Sequence, residues 1–261
     1  MRLGTRSLAV PVTGVLALLV AAALPVAALA EATVKPDGRF RYALGAGGSH
    51  ASGNTSATSL NLDADGVRAT ADSRWRFGTR AAWSRENGTT SAEQVAAGTR
   101  YELDFTPAWF GFGDADFLRD RFANISARFG GHGGVGRHLV RTDRTTFDVF
   151  VGAGYVRDRY VDPAVVDGQS RASYGRIEAL VGEESSHRWT DTTSFRQKLT
   201  FYPSLRSGGG FRTVFDSGLE VAMTPLLSLK VGVSHRYDSD PGEGFKKNDT
   251  LFTTGIAVRI D

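Results

Sequence analysis

The residues with the types and spacing to do chemistry are few. Five histidines, His50, His132, His138, His187 and His235, are the candidate bases or metal ligands. Nucleophilic catalysis would need a Ser within hydrogen-bond reach of a His that a third group orients. Ser49 and His50 are neighbours on an extended segment, so their side chains point to opposite faces, and no G-x-S-x-G elbow occurs. His132 and His138 share one face by parity, without an adjacent Ser. Gly131-His132-Gly133-Gly134-Val135-Gly136 matches G-x-G-x-x-G by its letters. A dinucleotide site also needs a helix opening there, whereas a strand pattern runs on from Arg137 to Val140. Asp114, Asp116 and Asp120, and likewise Asp238, Asp240 and Glu243, offer carboxylates to Ca²⁺. Neither set has helix–loop–helix spacing, and both read as solvated acidic loops. The absence of Cys excludes a thiol nucleophile, a thiolate metal site and a disulfide framework. The residues predict no enzyme, no catalytic, cofactor-binding or metal site, and no cofactor.

The elements that carry these residues alternate with period two. Val95, Ala97, Thr99, Tyr101, Leu103 and Phe105 share one face against Gln94, Arg100, Glu102 and Asp104. Leu227, Leu229, Val231 and Val233 stand against Ser228, Lys230, Gly232 and Ser234, and the pattern returns over 252–260. Such alternation marks strands with one apolar and one polar face. Helical signals are nearly absent, and only Asp116 to Phe122 could carry a helical turn. Strands are expected over about 39–52, 56–70, 74–87, 92–105, 108–117, 124–140, 146–159, 171–186, 193–205, 210–223, 226–238 and 249–260. Each is long enough for the roughly 9–11 residues that a tilted strand needs to cross a bilayer.

Residues 1–30 read as a removable leader. Arg2 and Arg6 precede an apolar stretch, Leu8 to Leu24, which leads to the small-residue motif Ala28-Leu29-Ala30. Cleavage after Ala30 is expected, then a short periplasmic segment over 31–38 and a barrel domain over 39–261. Setting Arg2 and Arg6 aside brings the formal charge of +3 down to +1, so the basic balance gives no reason to expect nucleic acid.

The connections also alternate. Ala71-Asp72-Ser73, Thr106-Pro107, Arg141 to Thr145, His187 to Thr192 and Thr224-Pro225 are short; Leu118 to Ala123, Tyr160 to Ser170 and Ser239 to Asn248 are longer and polar. Short inner turns and longer outer loops are what a transmembrane barrel requires. Trp75, Phe105, Trp109 and Trp189 lie near the short turns, as an interfacial aromatic girdle would. The fold expected is all-β: a closed, antiparallel, up-and-down transmembrane β-barrel of about twelve strands. Gly98, Gly130, Gly134, Gly136, Gly152, Gly154, Gly232 and Gly255 fall on the inward face and make room or permit curvature.

By parity the lumen holds Arg76, Arg80, Arg100, Glu102, Asp104, Arg128, Arg176, Glu178, Arg196, Lys198, Asp216, Glu220, Lys230, Arg236 and Arg259. The set leans basic. It reads either as the lining of a narrow channel or as a plug whose charges pair, because a buried charge left unpaired costs several kcal/mol. Hairpin pairing predicts that Glu102 or Asp104 meets Arg76 or Arg80, with Arg100 left nearer the outer mouth.

Leu44-Gly45-Ala46-Gly47 running into Ser52-Gly53-Asn54-Thr55 resembles a proteobacterial family of outer-membrane proteins that carry the domain of unknown function 481. Its members are often labelled salt-induced outer membrane proteins. Gly152-Ala153-Gly154-Tyr155 is similar too, as is the stretch from Tyr237 through Pro241 to Lys246-Lys247-Asn248-Asp249-Thr250. The resemblance spans about 39–261 and implies an outer-membrane barrel with no established activity, ligand or catalytic residue. Outer-membrane barrels usually close on an aromatic residue; this chain departs from them in closing on Arg259-Ile260-Asp261. The function expected is a structural or envelope-stress role in the Gram-negative outer membrane, with a narrow, polar, mildly basic lumen. The alternatives are an anion-leaning small-solute channel and a barrel-wall lipid hydrolase. The partners expected are outer-membrane lipid, lipopolysaccharide and the barrel assembly machinery.

Overall fold

A computed structural model describes residues 34–51, 57–166, 168–205, 210–239 and 247–260. The expected leader lies outside them. The described strands are β1 (Phe40–Ala51), β2 (Ala57–Ala69), β3 (Ser73–Glu86), β4 (Thr89–Asp104), β5 (Trp109–Asp120), β6 (Ile125–Arg141), β7 (Thr145–Val166), β8 (Gln169–Arg188), β9 (Thr193–Pro203), β10 (Phe211–Ala222), β11 (Leu227–Asp238) and β12 (Asn248–Ile260). Each pairs antiparallel with its sequence neighbours, and β1 pairs with β12 from Tyr42↔Ile260 to Ala46↔Ile256. The result is a closed twelve-stranded up-and-down barrel with no helix among the described residues. Closure removes the open edges that a sheet would otherwise present.

Five turns close the near end, where β1 begins, and all are built alike. Thr70, Thr106, Thr142, Thr190 and Thr224 each accept, on the side-chain hydroxyl, the backbone N–H three residues on, at 2.9–3.0 Å. The same Thr donates its own N–H to that residue's carbonyl, at 2.8–3.2 Å. A hydroxyl that mimics a backbone acceptor fixes a tight turn without glycine. Ahead of β1, Arg41 donates to both Asp37 carboxylate oxygens, at 2.9 and 2.6 Å. That pairing holds the Asp37 carboxyl well below its usual range.

The far end is more varied. Asn87 and Gly88 take positive φ (47° and 83°) and join β3 to β4 as a tight hairpin. Two expected loops are corrected here. Tyr160 to Ser170 is not an irregular loop, because β7 and β8 continue past their other neighbours as a hairpin, with Val166 opposite Gln169. Leu118 to Ala123 likewise shrinks to the 121–124 turn, since β5 runs to Asp120 and no helical turn forms at 116–122. Asn124 ties that turn to the long hairpin: it donates to the Asp162 carbonyl at 2.9 Å and accepts the Asp162 N–H at 2.8 Å.

The outer face is apolar, with Leu44, Leu62, Val95, Val151, Val181, Val231 and Ile256 exposed along the middle of the strands. Aromatics gather toward both ends. Trp75 packs on Phe77 (centroids 5.4 Å apart) and Trp189 on Phe195 (5.3 Å) near the short turns. Phe201–Phe211 (5.2 Å) and Phe211–Tyr237 (5.4 Å) lie toward the far end.

Candidate functional site: the charged lumen

The inward face fills the near half of the barrel on its β5–β8 side. Phe110, Phe112, Phe150 and Leu180 form one buried cluster, with Tyr202 packed against it. Phe112 meets Phe150 edge to face at 5.7 Å, and Phe110 stacks on His138 at 4.8 Å. Inward glycines supply the slots. A Cβ at Gly136 would lie 2.1 Å from the Phe110 ring, and one at Gly182 2.5 Å from that of Phe150. On the opposite side Ala43, Val67 and Ala257 form a second buried cluster, and Val67 also lines the cavity. The Arg100 guanidinium lies over Phe112, 3.9 Å from the ring centre, and 4.9 Å from that of Phe150. A cation on an aromatic face in a dry setting is worth about 2 kcal/mol.

Carboxylates hold the cations above and around this floor. Arg76 bridges Glu102 (2.8 Å) and Glu184 (2.5 Å). Arg100 joins Glu102 (2.7 Å) to Asp114 (3.3 Å). Toward the far end, Asp158 receives Arg128 and, at 2.9 Å, Arg176. Glu178 receives Arg176 (3.3 Å), Arg212 (2.7 Å) and His132 Nε2 (3.1 Å). Asp158 and Glu178 side chains are both 1% exposed. Lys230 lies 3.6 Å from Glu220, which also accepts from Arg259, and Lys198 lies 4.0 Å from Glu184. Asp216 accepts the Ser234 hydroxyl at 2.6 Å. Asp104 takes Arg141 at 2.5 Å and His138 at 3.1 Å, and the other His138 nitrogen is 2.7 Å from Asp148.

Above the floor a cavity of about 1000 Å³ opens toward the far end, where Asp120, Asp158, Tyr160, Asp238 and Lys247 border it. Arg76, Arg80, Arg100, Arg128, Arg176, Glu178, Arg196, Lys198, Asp216, Glu220, Lys230 and Arg236 all line it. The remaining expected residues, Glu102, Asp104 and Arg259, lie outside its lining, in the ion pairs just described.

Three expectations are corrected. Arg76 pairs with Glu102, but Arg100 shares that carboxylate instead of standing apart near the mouth. The inward charges come close to balance, because Asp65, Asp114, Asp116, Asp120, Asp158, Glu184 and Asp238 join the acids of the cavity wall while Arg212 and Lys247 join its cations. Asp114, Asp116 and Asp120 are inward residues of one strand and not a solvated loop. Their alternation was in the sequence all along: it continues Phe110 and Phe112 without a break. Asp158 continues Gly152, Gly154 and Val156 in the same way.

The four histidines whose side chains are described are engaged in the fold. His132 lies 2.8 Å from Asp114 and 3.1 Å from Glu178. His187 stacks on Phe195 at 6.3 Å, and His235 meets the Thr250 hydroxyl at 2.8 Å. Asp114, Asp116 and His132 place possible metal-ligating atoms within 4.8 Å of one another, but His132 and Asp114 spend theirs on ion pairs, Asp114 with Arg100 among them. The side chains of Ser49 and His50, and residues Asp240 and Glu243, lie outside the described residues.

A closed twelve-stranded barrel, apolar outside and charged within, has the architecture of the outer-membrane porins. The NanC porin matches over 84% of this chain and 100% of its own, with a TM-score of 0.50 at 11% identity. The KdgM porin matches over 85% and 100%, with a TM-score of 0.44 at 7% identity. At 11% identity the likeness to NanC shows a shared fold alone. The chain belongs to the family described as "Protein of unknown function, DUF481", whose model matches residues 44–260. A curated relative, the uncharacterized protein YdiY of Escherichia coli (strain K12), is 26% identical over 219 residues, 82% of this chain and 81% of its own.

Proposed function

We propose that this protein is a closed barrel of the Gram-negative outer membrane, with a structural, envelope-maintaining role and no catalytic one. It is exported through a cleaved leader, and its partners are outer-membrane lipid, lipopolysaccharide and the barrel assembly machinery. In this reading the Thr-built turns face the periplasm, and the cavity opens to the outside as a cup.

The observation that carries the closure is the floor. Phe110, Phe112, Phe150 and Leu180 occupy the lumen beneath the cavity, under Arg76 and Arg100 that Glu102, Glu184 and Asp114 bind. A water-filled pore needs no such investment: exchanging water for several buried ion pairs costs desolvation, which the close packing and the shared carboxylates at the floor offset. The cavity itself favours a second reading, a small-solute pathway, and liposome swelling separates the two. Liposomes holding the purified barrel should swell in a pentose or glycine solution no faster than empty ones. Swelling that slows with solute size would overturn the closed reading in favour of the channel.

A further inference from the structure

Arg80 differs from the cations around it. It lines the cavity and is only 8% exposed, yet its terminal nitrogens Nη1 and Nη2 both lack a hydrogen-bond partner. Arg76, Arg100, Arg128 and Arg176, by contrast, are each held by carboxylates. The charges that face Arg80 are Asp63 and Asp65 on β2, Asp216 on β10 and Arg236 on β11. The three carboxylates offset its charge without filling its donors. Asp216 is engaged by Ser234 at 2.6 Å. Asp63 and Asp65 pack so closely over Gly45 and Gly78 that a Cβ there would lie 2.4 and 2.3 Å from their oxygens. Arg236 also lines the cavity, and its Nε has no partner either.

A buried donor left unfilled costs about 1–3 kcal/mol, more when it is charged. Two terminal guanidinium nitrogens form a planar fork whose natural complement is a pair of oxygens on one anion. We infer that the cavity wall at Arg80, with Arg236 facing it, is a binding site for a small oxyanion, a carboxylate or a phosphate, held by the Arg80 fork. The cavity, about 1000 Å³, is ample for such a guest. This goes beyond the closed-barrel reading, because the site stands whether or not the lumen conducts.

Isothermal titration of the folded barrel in detergent tests it, with succinate and inorganic phosphate as probes, at constant ionic strength in chloride. At least one probe should bind saturably, and Arg80→Gln should weaken that binding tenfold or more. Binding of succinate alone would mark a carboxylate site, and binding of phosphate alone a phosphate site. Arg80→Lys keeps the charge and loses the fork, so it should also bind more weakly; it serves if Arg80→Gln fails to show the gel mobility of the folded form. Arg137→Gln, on the outer face, should bind as the unaltered protein does. No saturable binding of either probe, or an isotherm unchanged in the folded Arg80 variants, would overturn the site.

Discussion

Replacing Gly134 by Ala puts a methyl group where two strands already touch. Its Cβ would stand 2.2 Å from the Val151 carbonyl oxygen, 2.7 Å from the Gly152 Cα and 2.8 Å from the Phe112 ring. Real Cβ atoms essentially never come within 3.0 Å of a neighbour, so β6 and β7 must part by close to 1 Å. The two nearest obstacles are backbone and cannot rotate away. Overpacking of this kind costs about 1–3 kcal/mol. Loosening ladder hydrogen bonds adds about 1 kcal/mol for each bond lost. The expected loss is therefore about 2–4 kcal/mol. Gly113, on β5, is the internal control: a Cβ there meets nothing within 4 Å. Gly113→Ala should be neutral, or stabilising by up to about 1 kcal/mol through a less flexible unfolded chain. Urea unfolding in lipid vesicles reads both, because Trp75, Trp83 and Trp109 report by fluorescence and the folded form keeps its own gel mobility. Equal stability of the two variants would refute the close approach of β6 and β7.

Three further outcomes follow from the same geometry. Val231→Arg and Ile256→Arg, both on the apolar outer face, should each cost roughly 2–4 kcal/mol in vesicle unfolding if they lie at the midplane; heat-resistant mobility unchanged in both would mean that the strand parity is wrong. Asp158→Asn should destabilise by about 3–5 kcal/mol, because it leaves Arg128 and Arg176 sharing no carboxylate at that point; the same unfolding assay checks it, and a neutral result would show that water reaches the pair. An epitope inserted at Gly168, the tip of the β7–β8 hairpin, should be labelled on intact cells, while one in the 142–144 turn should not; the reverse pattern would invert the barrel.

Much of the barrel was legible because its rule is local. Parity alone separates Val231 from Lys230, and a strand that hides one face and shows the other must write that alternation into its residues. The Thr turns are legible only as a Thr opening each of the segments 70–73, 106–109, 142–145, 190–193 and 224–227, because polar turn residues look alike until the hydroxyl's partner is known. The far end misled for a physical reason. Tyr160 to Ser170 contains Pro163 and polar residues that suggest a loop, but the hairpin can project beyond the barrel with its ladder satisfied only between β7 and β8. The lumen was half legible. Arg76 and Glu102 meet because adjacent strands pair, whereas Arg76 meets Glu184 across the barrel, 108 residues away in sequence, and no local pattern carries that contact. Asp120 lies past the expected end of β5 at 117, whereas Asp114, Asp116 and Asp158 fall inside the expected strands, where their parity already sets them beside Phe112 and Val156 on the inward face.

Planar-bilayer recording is the most direct test of the closed lumen. Purified barrel inserted at neutral pH should give no steady conductance, while Phe112→Ala combined with Phe150→Ala, which empties the floor, should give stable openings. Steady conductance from the unaltered protein, unchanged by emptying the floor, would contradict the account.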